Sequence, residues 1–303
     1  MSKACANGIS IEYDSIGAQD AAPILLIAGL GVQMTGWTEP FCKILASKGF
    51  WVIRFDNRDV GLSTHFAEAP VPDLASVADA LARGERPEIP YTLNDMAGDA
   101  VGLLDALGIE QAHIVGRSMG GMIGQLVASE HPGRTLSLTS IMSSSGNPAL
   151  PPSTPEAMTA LTQRPPHPSQ DVQGFLDHSV RRARVLSGSG FPFDDAAQRA
   201  QALAAANRAY DPAGFGRQIA ALVANGDRRA LLNTISVPTL VVHGTADPLI
   251  PLEAGEDTAA NVPGAQLKVF EGMGHEIPPE LYGPIAQAIA DLRNSSRPAT
   301  RKS

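Results

Sequence analysis

The sequence is poor in cysteine and has no long apolar run, and each shortage excludes a class of protein. Only two cysteines, Cys5 and Cys42, occur among 303 residues, too few for a disulfide framework. The Cys and His residues lack the spacing of a zinc site, so we predict no metal. The longest apolar stretch, residues 24–32, contains two glycines and is too short to cross a bilayer.

Positive charge is also scarce. Lys and Arg number 23 against 31 Asp and Glu, a formal net charge of −8 with no long basic stripe, so we expect no nucleic-acid partner. The first eight residues lack the apolar core of a secretory signal, and we expect a cytoplasmic protein that binds no membrane. No glycine-rich phosphate loop is present, which argues against a nucleotide, and we expect no cofactor.

Short apolar segments alternate with helical patterns along most of the chain. Residues 9–13 alternate apolar and polar side chains, as a half-buried antiparallel strand does. Residues 23–27 are continuously apolar, as in a strand buried on both faces. Further strands are predicted at residues 51–55, 112–115, 136–142, 238–243 and 266–270. This rhythm predicts an α/β fold whose mostly parallel sheet is flanked by helices. Residues 64–90 contain four prolines and are predicted mainly as loop.

The alternation stops after Ser145. Seven prolines crowd residues 148–168, and alanine-rich helical sequence without a clear strand follows as far as Leu232. We therefore predict a core domain made of residues 1–146 and 233–303, with a helical cap of residues 147–232 inserted in it.

One predicted strand ends in the sequence Gly116-Arg117-Ser118-Met119-Gly120, and a helix follows directly. A serine on such a sharp strand-to-helix turn has strained backbone angles, and close packing there tolerates only glycine on either side. The turn lifts the hydroxyl out of the sheet, and the new helix directs free N–H groups to the same place. Ser118 is therefore a candidate nucleophile.

A serine hydroxyl needs a base, and the base needs a group that orients it. Asp247 and His275 follow the two strands predicted after the insertion, and the loops at the carboxyl ends of parallel strands meet in one crevice. Each residue also has a plainer interpretation: Asp247 as a turn residue before Pro248, His275 as a surface histidine. The chain order Ser, Asp, His favours the catalytic interpretation. His243 is interpreted as structural.

Five motifs in this order resemble the α/β-hydrolase fold family over nearly the whole chain: residues 29–31, 56–63, 116–121, 244–248 and 272–275. A looser likeness, at residues 184–195, is to the aclacinomycin methylesterase-like branch. The resemblance implies a serine carboxylesterase that works through an acyl-enzyme. In that scheme Ser118 is the nucleophile, His275 the general base, and Asp247 fixes the imidazole tautomer.

The resemblance also implies an oxyanion hole made of two backbone N–H groups, those of Met119 and Leu30. Many relatives have His-Gly where this chain has Ala28-Gly29, so no side chain at position 28 takes part. Arg117 has two interpretations: packing behind the elbow, which we favour, or recognition of a substrate carboxylate or carbonyl.

Aromatic and aliphatic residues give the insertion an apolar face, which favours an ester with a hydrophobic part. We predict a substrate pocket that includes Gly29, Phe191, Phe193 and Tyr210, although most such cap residues serve to attach the cap to the sheet. Three alternatives stay open: a cofactor-free perhydrolase (haloperoxidase-like), a C–C bond or lactone hydrolase on the same triad, and a non-catalytic binding protein. The oligomeric state is not predicted.

Overall fold

The computed structural model describes residues 2–295, in which eight strands form one sheet. In chain order the strands are β1 (Ser2–Ala6), β2 (Ile9–Ile16), β3 (Ala22–Ile27), β4 (Phe50–Phe55), β5 (Ala112–Arg117), β6 (Thr135–Ile141), β7 (Thr239–Gly244) and β8 (Gln266–Phe270). Their order across the sheet is β1-β2-β4-β3-β5-β6-β7-β8. Pairing is antiparallel for β1 with β2 and β2 with β4, and parallel from β4 onward. The predicted fold class is confirmed.

Eleven helices of at least four residues accompany the strands in the described part of the chain. They are α1 (Glu39–Ser47), α2 (Leu74–Ala82), α3 (Leu93–Ala106), α4 (Met119–Glu130), α5 (Pro155–Thr162), α6 (Val172–Leu186), α7 (Asp195–Arg208), α8 (Pro212–Asn225), α9 (Arg229–Leu232), α10 (Leu252–Asn261) and α11 (Tyr282–Ser295).

Strand β3 shows how the sheet is buried on both faces. Its side chains alternate, so Leu25 and Ile27 join an apolar cluster with α3 and α4, while Ile24 and Leu26 join a second cluster with α1 and α11. All four side chains are fully buried. The continuous apolar runs in the sequence result from this double burial, which fixes the sheet between two helical layers.

Two elements differ from the sequence-based expectation. The loop prediction for residues 64–90 is wrong at α2, a nine-residue helix whose first turn is capped by the Asp73 carboxylate. Pro70 and Pro72 lie before the N-cap residue Asp73, so they do not interrupt this helix. Strand β1 was not predicted, because its small and polar residues are mostly exposed at the sheet edge and give no apolar pattern.

Helices α5–α9 lie between β6 and β7, and we call them the cap. No strand occurs between Ile141 and Thr239, and all residues of that span are described. The precise division into a core and a cap domain at residues 147–232 stays a prediction, and residues 1 and 296–303 of the predicted core lie outside the described part. No helix within residues 2–295 is long and apolar enough to cross a membrane.

Two buried ion pairs join the cap to the loop that follows β4. Arg208 of α7 lies 2.7 Å from the Asp56 carboxylate, and Arg217 of α8 lies 2.8 Å from that of Asp59. Both carboxylates are fully buried. Removing either arginine would leave an uncompensated charge in the interior, so the cap is attached to the core at defined points.

Candidate active site

Ser118 occupies the turn between β5 and α4, with a φ of +54° that non-glycine residues rarely adopt. A Cβ atom at Gly116 would overlap the Gly120 carbonyl, and one at Gly120 would overlap the Ile27 carbonyl. The two flanking glycines are therefore required by close backbone contact. The structure accordingly places the predicted elbow at the carboxyl edge of the sheet.

Hydrogen bonds from the neighbouring strand β6 and the residues after it hold this strained turn. The backbone N–H of Ser118 donates to the Ile141 carbonyl at 2.9 Å, and the Ser143 hydroxyl donates to the Ser118 carbonyl at 2.8 Å. All of these groups belong to the core. Sequence reasoning missed Ser143, because a serine just beyond a strand carries no motif signal.

The structure brings the three predicted triad residues together in one hydrogen-bonded series. His275 Nε2 lies 2.9 Å from the Ser118 hydroxyl oxygen, and His275 Nδ1 lies 2.8 Å from Asp247 Oδ2. These distances are within hydrogen-bonding range for both ring nitrogens. A proton can pass from the serine to the imidazole, while the carboxylate keeps the ring in the tautomer that has Nε2 free to accept it.

The Asp247 carboxylate is fully buried but well satisfied. Its other oxygen accepts hydrogen bonds from the N–H groups of Leu249 and Ile250, each at 2.9 Å. His243 lies 3.6 Å away, and burial lowers the pKa of its imidazole, although the Ile250 carbonyl and Asp247 oppose that shift. His243 Nε2 donates to the Ile250 carbonyl at 2.8 Å. The sequence-based interpretation of His243 as structural agrees with this geometry.

The loop after β3 lies directly beside the nucleophile. A Cβ atom at Gly29 would be 3.3 Å from the Ser118 Cβ and 3.8 Å from its hydroxyl oxygen. Within residues 2–295, neither the Leu30 N–H nor the Met119 N–H donates to a protein acceptor. Leu30 directly follows Gly29, and Met119 directly follows Ser118, so each free N–H donor is one residue away from this close contact. Such a pair of donors can stabilise an oxyanion.

Cap residues hold the loop after β3, which we call the oxyanion loop (residues 28–36). The Gly31 N–H donates to Gln218 Oε1 at 2.8 Å, and the Phe215 ring packs against Gly31, where a Cβ atom would be 2.8 Å from the ring. Gln33 Nε2 donates to the carbonyls of Ala205 and Ala209, each at 2.8 Å. Sequence reasoning missed Gln218, since a lone glutamine on a helix belongs to no motif.

The loop that carries His275 is also attached to the cap. The His275 N–H donates to the Leu186 carbonyl at 2.6 Å, and the Gly274 N–H donates to the Ser187 carbonyl at 3.2 Å. In return the Gly190 N–H donates to the Gly272 carbonyl at 3.1 Å. The segment between α6 and α7 is therefore docked against the triad by its backbone.

The Arg117 guanidinium lies 5.5 Å from the centre of the Trp37 ring. Burial lowers the pKa of this arginine, with Glu276 and Tyr282 acting in the opposite direction. No carboxylate in the described part of the chain lies within ion-pair distance of it. Packing against Trp37 agrees with the interpretation that the sequence favoured.

The predicted pocket residues of the cap lie in different surroundings. Phe191 is half-buried and packs against the core cluster on the α1 and α11 side. Tyr210 is also half-buried and meets the Phe175 ring edge-on at 5.6 Å. Phe193 carries the Arg184 guanidinium over its ring at 4.5 Å, and that arginine is exposed. A pocket role for Phe193 stays a prediction without a supporting contact.

Asp59, His65 and Asp211 bring three potential metal ligands within 4.8 Å of one another. Both oxygens of Asp59 are already used: each accepts from Arg217 at 2.8 Å. The Tyr91 hydroxyl adds a further hydrogen bond to Asp59 at 2.6 Å. Because a guanidinium already supplies the positive charge, we interpret the group as an ion-pair network between cap and core.

Comparisons with known proteins identify the family of the chain. A family model described as alpha/beta hydrolase fold matches residues 22–280. The chain is 31% identical to rhodomycin D methylesterase DauP of Streptomyces sp. strain C5, over 93% of this chain and 94% of that protein. It is 30% identical to rhodomycin D methylesterase DnrP of Streptomyces peucetius, with the same shares covered. Among solved structures, the meta-cleavage product hydrolase CumD of Pseudomonas fluorescens IP01 has a TM-score of 0.75 at 19% identity, covering 98% of each chain.

Proposed function

The chain belongs to the α/β-hydrolase fold family, and on that premise we propose that it is a serine carboxylesterase with Ser118 as its nucleophile. One observation carries the proposal: the hydrogen-bonded series from Ser118 through His275 to Asp247, at 2.9 and 2.8 Å, beside two free backbone N–H groups. Nucleophile, base, orienting acid and oxyanion donors are the parts that ester hydrolysis through an acyl-enzyme needs.

In the first half of the proposed reaction the Ser118 oxygen attacks the ester carbonyl carbon as His275 Nε2 takes the hydroxyl proton. The carbonyl oxygen becomes an oxyanion that accepts hydrogen bonds from the N–H groups of Leu30 and Met119. Asp247 stabilises the imidazolium through Nδ1. When the C–O bond breaks, His275 gives its proton to the departing alkoxide, and an alcohol leaves.

Water completes the cycle. His275 Nε2 accepts a proton from a water molecule as the water oxygen attacks the acyl carbon of the Ser118 ester. The same two N–H groups receive the second oxyanion, and its collapse returns the proton to Ser118 and releases the carboxylic acid. Besides water, the proposed cycle uses only groups of this chain, and the absence of a cofactor stays an expectation.

The substrates are small-molecule esters, and we propose that methyl esters of bulky, hydrophobic acids are preferred. Two relatives of nearly full length are named methylesterases, and a methoxy leaving group is the smallest an ester offers. The bulk is assigned to the acyl side because the cap contributes half-buried aromatic side chains, among them Phe191 and Tyr210. We therefore place the acyl group between the cap and the sheet.

A fluorophosphonate probe tests the nucleophile. We expect stoichiometric labelling of the wild type and none of Ser118→Ala, with ester turnover lower by about 10⁴–10⁶-fold in the variant. Ser129→Ala is a matched control, because Ser129 lies on the helix that follows the elbow and, within residues 2–295, its hydroxyl hydrogen-bonds only to the Leu126 carbonyl. Equal labelling of wild type and Ser118→Ala would refute the assignment.

A panel of esters separates the remaining alternatives. Methyl esters of bulky acids should be hydrolysed with higher kcat/KM than methyl acetate or long-chain p-nitrophenyl esters. Added hydrogen peroxide would divert the acyl group to a peracid if the enzyme were a perhydrolase, and lactones report the lactonase alternative. A chain that is labelled but turns over no ester would favour C–C bond hydrolysis, and one that is not labelled would favour a binding protein.

A further inference from the structure

We propose that Gln218, on cap helix α8, is a positioning residue that sets the geometry of the oxyanion hole. The side chain is fully buried and bonds to two different core loops. Its Oε1 accepts the Gly31 N–H at 2.8 Å, and its Nε2 donates to the Arg58 carbonyl at 2.7 Å. A single amide thus connects the oxyanion loop to the loop after β4.

The hydrogen bond between Gln218 and Gly31 lies next to a group that is proposed to take part in the reaction. Gly31 directly follows Leu30, whose N–H is one of the two proposed oxyanion donors. The Gly31 N–H belongs to the peptide plane between Leu30 and Gly31, and only the φ and ψ of Leu30 separate this plane from the one that carries the Leu30 N–H. Holding the Gly31 N–H therefore restricts these two dihedrals and, through them, the direction of the Leu30 N–H. Gly31 has a φ of +66° in a turn that the Val32 N–H closes on the Gly29 carbonyl at 3.2 Å. The core holds the loop on either side of this turn, where Asn57 donates to the Ala28 carbonyl and the Met34 N–H donates to Asp56, and the cap adds its constraint at Gly31 itself.

The remainder of α8 makes Gln218 rigid. Arg217, its neighbour, forms a bidentate ion pair with Asp59 at 2.8 Å for each contact. Phe215, three residues before Gln218, packs on Gly31. Helix α8 therefore contacts both loops, and Gln218 can move only together with the whole helix. The oxyanion hole is complete only while the cap is docked in this position.

Two substitutions at Gln218 separate positioning from simple stability. Gln218→Met keeps the length of the side chain but removes both hydrogen bonds. Gln218→Glu keeps an acceptor for the Gly31 N–H but buries a carboxylate against the Arg58 carbonyl, so we expect it to be the less stable variant. If Gln218 only stabilises the fold, activity should follow stability, and Gln218→Met should be more active than Gln218→Glu. If Gln218 positions the oxyanion loop, Gln218→Glu should be more active than Gln218→Met, and both should be less active than the wild type.

The measurements are kcat and KM on one ester and the inhibition constant of a boronic acid, whose adduct with serine has the tetrahedral shape of the intermediate. For Gln218→Met we expect kcat to fall about 10- to 100-fold, with KM changed less than about threefold. The boronate should bind more weakly by a factor similar to the loss in kcat/KM. If Gln218→Met fails to fold, Gln218→Asn takes its place, because the shorter amide withdraws the acceptor from the Gly31 N–H without burying a charge. The same fall in kcat is expected, and an unchanged kcat would overturn the proposal.

Gln125→Met is the matched control. Gln125 is also a buried glutamine with two side-chain hydrogen bonds, from Arg228 Nε at 3.0 Å and to the Ser140 hydroxyl at 3.4 Å, and it lies outside the oxyanion loop. We expect its kcat to stay within about threefold of the wild type. Equal losses of kcat in Gln125→Met and Gln218→Met, or an unchanged kcat in Gln218→Met, would overturn the proposal.

The inference rests on the proposed esterase function, and the two can fail separately. If Ser118→Ala hydrolysed esters as well as the wild type, the function would be wrong whatever Gln218 did. If Ser118→Ala were inactive and Gln218→Met fully active, the function would stand and the positioning role would not.

Discussion

The two proposed oxyanion donors are held in place in different ways. Met119 belongs to the elbow, which is fixed by core elements alone: close backbone contacts at Gly116 and Gly120, and hydrogen bonds from Ser143 and to Ile141. Leu30 belongs to the oxyanion loop, which the core holds at Ala28 and Met34 and which cap side chains hold at Gly31. One half of the proposed oxyanion hole is therefore held by the core alone, and the other half by the core and the cap together.

This difference separates two tasks that one active site must perform. The elbow can be strained because the surrounding core over-determines it, and the contacts named above that hold it all come from the core. The oxyanion loop has a left-handed glycine, and at this residue the Gln218 side chain and the Phe215 ring of the cap add to the contacts from the core. Substitutions on α8 should therefore act on catalysis through Leu30 and leave the elbow intact.

Arg217→Met should produce the largest change, because it removes the main ionic attachment of α8. It leaves the buried Asp59 carboxylate without its cation, which costs about 3–5 kcal/mol in the free energy of unfolding. In the folded fraction we expect a lower kcat, since Gln218 loses its rigid support. Urea unfolding and ester kinetics measure the two effects.

Arg184→Met serves as its control, because Arg184 forms an exposed ion pair with Asp195 on the same cap. That pair should contribute at most about 1 kcal/mol. Similar stability losses in the two variants would mean that the buried pair does not anchor the cap.

The same contrast explains how far the sequence alone could lead. The elbow and the triad were predictable because each has a short sequence pattern. The elbow has a glycine near Ser118 on either side, and the other two triad residues are an acid and a histidine in the loops that follow predicted strands. The sheet was predictable because its double burial leaves continuous apolar runs. Gln218 was not, since its partners Gly31 and Arg58 lie about 190 and 160 positions earlier in the chain, and no local pattern encodes such a pair.

Replacing one glycine of the elbow and one of the oxyanion loop by alanine tests the difference between them, and we expect effects of intermediate size. Gly116→Ala would overlap the Gly120 backbone, so we expect about 1–3 kcal/mol of destabilisation together with a loss of fluorophosphonate labelling. Gly31→Ala would meet only the Phe215 ring, at 2.8 Å, besides the strain of a positive φ. Thermal unfolding and labelling rates measure both variants.

Rescue distinguishes the two sites. Phe215→Leu gives the new methyl group room at Gly31, so the double variant Gly31→Ala, Phe215→Leu should recover part of the lost kcat. The elbow is closed by backbone atoms, and no cap substitution should rescue Gly116→Ala. Rescue of both, or of neither, would contradict the division between a core-held and a cap-held half.

The smallest expected effect is a pH dependence confined to the cap attachment. His65 Nδ1 lies 2.7 Å from the Asp211 carboxylate, and its Nε2 lies 3.0 Å from the Gly61 carbonyl. Burial alone would lower the pKa of His65, but these two acceptors and the nearby Asp59 outweigh it and raise the pKa above its usual value. Arg217, 3.5 Å from Asp211, is the neighbouring positive charge.

A raised pKa in the folded state means that protonated His65 stabilises the fold. This contribution is complete below the unfolded pKa, about 6.5, and disappears as the pH rises through the folded value. The Asp59 pKa is lowered, because hydrogen bonds from Arg217, Tyr91 and the Phe66 N–H outweigh the effect of burial. The contribution of Asp59 to stability is therefore lost only at acidic pH, below the range in which His65 titrates. We therefore expect wild type to exceed His65→Gln in unfolding free energy by more at pH 5.5 than at pH 8.5, by less than about 1 kcal/mol. Urea unfolding at both values measures this difference, and an equal or reversed gap would show that His65 carries no charge in the attachment of the cap.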